Sequence, residues 1–99
     1  MEFQEVLARD PSSVSARFNL ARTLAALGEH EPAIQGFQTL LAADPSDVAA
    51  RYELAASYAA MKRQPEAIAE YTRALQMDRD QKRIEEKKKD LEALMHQDK

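Results

Sequence analysis

The side chains best suited to metal binding or thiol chemistry are scarce in this sequence. His30 and His96 are its two histidines, and it contains no cysteine. Neither histidine has a second metal ligand at a useful spacing. The missing cysteine excludes disulfides, thiol catalysis and cysteine-containing zinc sites. We therefore expect both histidines to be exposed to solvent, and we predict no metal and no cofactor.

Hydroxyl and carboxyl groups do not assemble a recognisable active site either. No serine is placed with a histidine and a carboxylate, and no glycine-rich loop precedes a Lys-Ser or Lys-Thr pair. Adjacent carboxylates such as Glu85 and Glu86 point to different sides of a helix, so they do not form a paired acid and base. Because nothing fills the roles that catalysis needs, we predict no catalytic residue and a protein that is not an enzyme.

The charge and hydropathy patterns limit the partners. The chain has 99 residues and a net charge of -3, which gives no bulk attraction for nucleic acid. Basic residues between 79 and 89 alternate with acidic ones and lack a nearby aromatic for base stacking, which is typical of a solvated helix face. No apolar run approaches the roughly 18 residues of a membrane span, and the first residues, MEFQEVLARD, lack a secretory pattern. We expect no nucleic-acid or membrane partner and a cytoplasmic location.

The elements that would position a functional surface recur every 34 residues. Residues 4–11 read QEVLARDP and residues 38–45 read QTLLAADP. The same offset places Phe18 on Tyr52, Phe37 on Tyr71, and residues 10–12 on residues 44–46. Self-similarity at a fixed period indicates a repeat architecture within one small domain.

Each repeated unit contains two helical patterns. The apolar residues that recur at helical spacing are Leu20, Ala21, Leu24 and Leu27 in the first, and Ala33, Ile34, Phe37, Leu40 and Leu41 in the second. Pro32, Pro65 and Gly28 suit helix ends, and Ser12 and Ser46 are predicted N-caps. The predicted helices are 1–8, 13–27, 31–43, 47–61, 65–78 and 81–97. The last two are left open as one helix, because Arg79 gives no stop signal.

The unit resembles a tetratricopeptide repeat, a helix-turn-helix of 34 residues. The matching residues are Leu20, Ala21, Leu24, Gly28, Ala33, Ile34, Phe37, Leu41, Asp44 and Pro45, with a second set at Leu54, Ala55, Tyr58, Ala67, Ile68, Tyr71, Ala74, Leu75 and Asp78. Three features depart from the family. Arg17 and Arg51 stand where the family often has a large aromatic, Leu40 replaces a usual small residue, and Arg79 replaces the proline that normally closes a unit. The resemblance implies an all-α solenoid, an α-α superhelix of about six antiparallel helices. Its layout is a half repeat at 1–11, repeats at 12–45 and 46–79, and a capping helix at 80–99.

The capping assignment depends on an apolar stripe near the C-terminus. That stripe contains Met77, Ile84, Leu91, Leu94 and Met95. Repeat arrays need terminal elements that cover the last apolar flank and present a polar face to solvent. A coiled-coil strand is the weaker interpretation, because Asp80 and Lys87 occupy stripe positions where a coiled coil needs apolar side chains.

The resemblance also implies a concave surface lined by the first helix of each unit. The predicted peptide-binding residues are Ser15, Phe18, Asn19, Arg22, Ala49, Tyr52, Glu53 and Ala56. Alanines leave room, aromatics offer apolar contact, and Asn19, Arg22 and Glu53 offer hydrogen bonds, which suits a peptide lying in a groove. The alternative is that Phe18 and Tyr52 only fill gaps between helices. The family subclass that clamps the C-terminal carboxylate of chaperones is rejected, since only Asn19 matches its pattern.

The leading function is therefore a protein-interaction scaffold for a peptide or partner protein. A second hypothesis is self-assembly, with a homodimer formed through an open N-terminal edge around Phe3, Val6 and Leu7, because an uncovered apolar edge tends to find a partner. A third is an accessory segment of a larger multi-repeat protein.

Overall fold

The computed structural model describes residues 14–96, which form five α-helices joined by short loops and no strand. They are α1 (Val14–Ala26), α2 (His30–Ala43), α3 (Val48–Ala60), α4 (Gln64–Met77) and α5 (Gln81–Met95). Each helix packs against the next one along the chain. The all-α solenoid prediction is confirmed, and the predicted helix at 1–8 lies outside the described residues.

The last two helices are separate, because a break after Met77 divides α4 from α5. The carboxylate of Asp80 accepts a hydrogen bond from the Arg83 backbone N–H at 3.2 Å and so caps the N-terminus of α5. An aspartate three residues before a free helical N–H is a strong start signal. The boundary between α4 and α5 is therefore marked by the N-cap of α5 and not by a proline.

The turns after α1 and α3 have the same backbone conformation. Gly28 has a φ of 86° and Lys62, one period later, has a φ of 64°. After each turn a backbone N–H returns to a carbonyl of the preceding helix, from Glu29 to Leu24 at 2.8 Å and from Arg63 to Tyr58 at 2.9 Å. A left-handed residue closing a helix in this way is the usual helix C-cap.

The predicted N-cap at Ser46 is wrong. Asp47 caps α3, because its Oδ1 accepts a hydrogen bond from the Ala50 N–H at 3.0 Å. Ser46 instead donates its backbone N–H and its hydroxyl to Asp44 Oδ1, at 3.1 and 2.6 Å. Those two bonds lower the pKa of Asp44 and fix the loop before α3. The equivalent prediction at Ser12 lies outside the described residues.

One hydrophobic core runs through all five helices. Ala33, Ala55 and Ala67 are fully buried at 0 % exposure, and their small side chains let neighbouring helices approach closely, while Phe37, also at 0 %, is the largest fully buried side chain. The prediction that Leu27 belongs to the buried face of the first helix is wrong. Leu27 lies beyond the end of α1 and is 70 % exposed. Because α1 ends at Ala26, the helical spacing that would place Leu27 on the buried face no longer applies to it.

The aromatic pairing of the core repeats with the sequence. The rings of Phe18 and Phe37 meet edge to face with centroids 5.9 Å apart. One period later Tyr52 and Tyr71 form the matching pair at 6.3 Å. Both separations are within the favourable range for aromatic pairs. Each pair joins the first and second helices of its unit.

Helix α5 covers the end of the core. Leu94 is 5 % exposed and Leu91 packs against the same cluster. Met95 is 53 % exposed, so its prediction as a member of the apolar stripe is wrong. It is the last residue of α5 and lies past the part of that helix that contacts the cluster.

Candidate functional site

The predicted groove residues come from equivalent positions on α1 and α3. Ser15, Phe18, Asn19 and Arg22 follow one another at helical spacing, so they share one face of α1. Adding 34 to each number gives the four predicted residues of α3, which are Ala49, Tyr52, Glu53 and Ala56. The site is thus one face of a helix presented twice.

This surface contains three adjacent depressions, which we call the α1–α3 groove. One of about 260 Å³ is lined by Val14, Ser15, Phe18, Asn19, Asp47 and Ala49. One of about 270 Å³ is lined by Asn19, Arg22, Thr23 and Ala26. One of about 310 Å³ is lined by Phe18, Arg22, Ala49, Tyr52, Glu53, Arg83 and Lys87. Shared residues join the three depressions, and Ala56, which is exposed on α3, lines none of them.

The α1 side of the groove combines a half-buried ring with exposed polar groups. The Arg22 guanidinium lies over the Phe18 ring, 5.7 Å from its centroid. Arg22 Nε is also 3.7 Å from Glu53 Oε2, and both side chains are exposed, at 58 % and 38 %. An exposed ion pair at this distance contributes little to stability. Arg22 is therefore placed by weak contacts and presents most of its surface to solvent.

Tyr52 forms part of the groove floor but does not present its hydroxyl. The residue is 4 % exposed, and its O–H donates to Asp78 Oδ2 at 2.8 Å. Burial, together with the neighbouring Asp78 carboxylate, raises the pKa of Tyr52 well above its usual range. Tyr52 is therefore neutral and already hydrogen-bonded, and any contact with a ligand would use the edge or face of its ring.

The buried Asp78 carboxylate ties α5 to the groove. It accepts hydrogen bonds from Arg83 Nε and Nη2, both at 2.7 Å, and from the Asp80 N–H at 2.9 Å, besides the bond from Tyr52. Its side chain is 0 % exposed. The Arg83 guanidinium is the main cause that holds the pKa of Asp78 far below its usual range, so the carboxylate is ionised. A bidentate, charge-assisted pair of this kind also fixes geometry.

Two cationic residues of α5, Arg83 and Lys87, reach the groove and were missed by the sequence reasoning. Arg83 Cζ is 5.7 Å and Lys87 Nζ is 5.4 Å from the centroid of the Tyr52 ring, within the range of cation–π contact. The two residues are four apart, so they share a face of α5. The spacing of four was visible in the sequence, but the hydrogen bonds from Arg83 to the buried Asp78 carboxylate, which hold it in place, were not.

The two histidines differ in their surroundings. His96 is exposed as expected, whereas His30 is half-buried at the start of α2 and its Nδ1 is shielded from solvent. Within residues 14–96, no group of three or more metal-binding side chains lies close enough to hold an ion.

No helix in the described part of the chain is long and apolar enough to cross a membrane. The apolar edge around Phe3, Val6 and Leu7, on which the homodimer hypothesis depends, lies outside that part.

The repeat, the paired helices and the groove together define a helical-repeat protein of the tetratricopeptide class. Two tetratricopeptide repeat family models match the sequence, one over residues 30–98 and the other over residues 2–45. The first match covers more than half of the chain, so the chain belongs to the tetratricopeptide repeat family. Repeats of this family generally mediate protein–protein interactions, and the fold is generally not enzymatic.

Solved structures give the same fold. The solution structure of a tetratricopeptide repeat domain protein from Salinibacter ruber is 25% identical, with a TM-score of 0.76, over 86% of this chain and 89% of that one. A MamA RS-1 ArsTM double mutant is 21% identical, with a TM-score of 0.73, over 97% of this chain and 64% of that one. No curated protein gives a significant sequence match.

Proposed function

We propose that this protein is an interaction module that binds an extended or helical peptide of a partner protein in the α1–α3 groove. The observation that carries the proposal is that the same helix face occurs twice, once on α1 and once on α3. Equivalent positions on α1 and α3 line a continuous open groove with an aromatic floor. A surface that repeats along its length suits a ligand that is itself a regular chain.

The chemistry of the groove supports binding rather than packing alone. Ser15, Asn19 and Arg22 are exposed and offer hydrogen bonds to a peptide backbone. Phe18 is only partly buried and supplies apolar contact, while Ala49 leaves room beside it. A few aromatic and arginine anchors surrounded by neutral contacts are typical of energetically important interface centres. Tyr52, by contrast, contributes mainly by shaping the floor.

The proposal is tested by filling the groove without disturbing the core. Ala49→Arg places a long side chain on the exposed face of α3, at a position that lines two of the three depressions. Ala69→Arg makes the same change on an exposed position of α4 that lines no part of the groove. Partners are first identified by affinity capture and mass spectrometry with the wild-type chain, and one is then purified for titration calorimetry.

Groove binding predicts that Ala49→Arg lowers affinity by about tenfold or more, corresponding to roughly 1.4 kcal/mol, whereas Ala69→Arg leaves it unchanged. The opposite ranking would place the binding surface on the second helices. If neither Ala49→Arg nor Ala69→Arg changes the affinity, and the wild-type chain is a dimer in light scattering, self-assembly becomes the better-supported function.

A further inference from the structure

We propose that Asp78 is a positioning residue of the α1–α3 groove: it keeps helix α5 docked, and α5 is a wall of the groove that opens and closes. This inference rests on the proposed function and deepens it, because it states which part of the groove forms only when a helix docks. Its basis is that Arg83 and Lys87 line the depression where α1, α3 and α5 meet, so that this depression exists only while α5 is in place.

Helix α5 is attached to the rest of the molecule near its two ends. At its first turn, Arg83 donates two hydrogen bonds of 2.7 Å to the Asp78 carboxylate. At its last turn, Leu94 is the one buried residue of the helix, and Leu91 packs against the same core cluster. Residues 85–90, between these points, are all charged, and all but Lys87 are exposed. The two attachments are eleven residues apart, which is about 16 Å along a helix.

The first attachment is centred on one buried carboxylate that also contacts the groove floor. Asp78 lies in the short connection between α4 and α5, and its side chain is 0 % exposed. Besides the bonds from Arg83, it accepts a hydrogen bond from the Tyr52 hydroxyl at 2.8 Å and one from the Asp80 N–H at 2.9 Å. Loss of any of these donors leaves a buried charge less well compensated, which is costly. The docking of α5 and the position of Tyr52 therefore depend on the same group.

Separation of α5 from the core costs less than unfolding of the whole chain. On the side of α5 it exposes one buried residue, Leu94, whereas α3 contains six buried residues. Elements with few buried apolar contacts open locally, without global unfolding. In that open state Arg83 and Lys87 leave the Tyr52 ring, whose centroid lies 5.7 and 5.4 Å from their cationic groups, and the depression loses one wall.

A peptide that fills this depression binds the docked state and not the open one. Its apparent affinity therefore follows the fraction of molecules in which α5 is docked, and its binding raises that fraction in return. Asp78 lines none of the three depressions of the groove, yet it should influence the affinity through α5.

The first measurement is hydrogen exchange of the backbone amides in the peptide-free chain. Tyr52→Phe removes the hydroxyl that donates to Asp78 and keeps the ring. Tyr58→Phe is the matched control, because it removes the hydroxyl of another buried tyrosine, which accepts a hydrogen bond from Gln38 and joins α3 to α2. Circular dichroism melts verify that each variant is folded.

We expect α5 amides of the wild-type chain to exchange faster than α3 amides. Tyr52→Phe should speed exchange throughout α5 by about tenfold, since a hydrogen bond to a charged group contributes about that factor or more, and Tyr58→Phe should leave the α5 rates unchanged. Equal rates in α5 and α3 of the wild-type chain would show that α5 opens only with global unfolding and would overturn the inference. An acceleration limited to the first turn of α5 would indicate fraying and would also overturn it.

The second measurement uses a peptide selected on the wild-type chain from a random library displayed on phage, and retained because Ala49→Arg abolishes its binding. At a free concentration ten times its Kd, this peptide should slow α5 exchange by about tenfold. Asp78→Asn should bind it about threefold or more weakly, whereas Met95→Ala, an exposed change on α5, should bind it with wild-type affinity.

Slower exchange in α3 without slower exchange in α5 would overturn the inference and leave groove binding intact, as would wild-type affinity of Asp78→Asn. Failure to select any peptide that depends on Ala49 would overturn both the inference and the proposed function.

Discussion

Individual residues carry the local differences between the two repeats. Gly28 and Lys62 occupy the same left-handed turn, yet only glycine adopts that conformation without steric cost. Arg51, where the family often has an aromatic, pairs with Glu70 at 2.8 Å and donates to the Pro45 carbonyl at 2.9 Å. The position equivalent to Glu70 in the earlier unit is Gly36, where an added Cβ would lie 3.0 Å from Ala21 Cβ. The second unit thus replaces a close helix contact with an ion pair.

Replacing Lys62 by glycine should stabilise the protein. A left-handed non-glycine residue costs roughly 1–2 kcal/mol, while glycine loses about 0.5–1 kcal/mol of extra chain entropy on folding. The expected gain is up to about 1.5 kcal/mol, and each 1 kcal/mol raises the melting temperature by about 4–8 °C. Gly28→Ala is the converse change and should lower the melting temperature. A Lys62→Gly chain that melts below the wild type would contradict the turn geometry.

Asp78 should make stability depend on pH in acid. Its pKa is lowered in the folded chain, chiefly by the hydrogen bond from Arg83, so its contribution is complete above the unfolded value of 3.8 and is lost as the pH falls below it. Asp78→Asn should cost about 2 kcal/mol at neutral pH, because charge-assisted bonds are lost.

Urea denaturation of both chains from about pH 7 to about pH 3 measures this effect, and the difference in unfolding free energy should narrow below about pH 4. A constant difference across that range would show that Asp78 is not held ionised by the network.

At the scale of elements, repeat spacing determines how much could be predicted. Helix identity, the pairing of neighbouring helices and the shared face of α1 and α3 follow from apolar periodicity and the 34-residue offset. Helix ends were less predictable, because they depend on single side-chain to backbone bonds such as Asp47 to Ala50. The approach of Arg83 and Lys87 to the groove depends on the buried Asp78 carboxylate and on the angle between α4 and α5. Neither can be obtained from periodicity.

Helix α5 should behave as a cap whose contribution resides in few side chains. Leu94→Ala removes a side chain that is 5 % exposed and should cost about 2–5 kcal/mol. Met95→Ala, next to it and 53 % exposed, should change stability by no more than about 0.5 kcal/mol. Equal losses in chemical denaturation would mean that α5 packs in a different orientation.

On the scale of the whole molecule, the stacking of the helices both builds the core and forms the groove. Five helices in the described residues share one core, and the same stacking aligns the equivalent faces of α1 and α3. Helix α5 then adds two cationic side chains, Arg83 and Lys87, to the lining of the groove. Arg83 and Lys87 of α5 therefore share one depression with residues of both repeats.

An NMR titration of the isotope-labelled chain with a peptide from an identified partner tests binding in the α1–α3 groove. Groove binding predicts that amide signals of Ser15, Asn19, Arg22, Ala49 and Glu53 shift together and saturate with one affinity. Signals of exposed residues on the second helices, such as Gln35 and Ala69, should stay in place. Saturable shifts confined to α2 and α4, with α1 and α3 unchanged, would contradict binding in the α1–α3 groove.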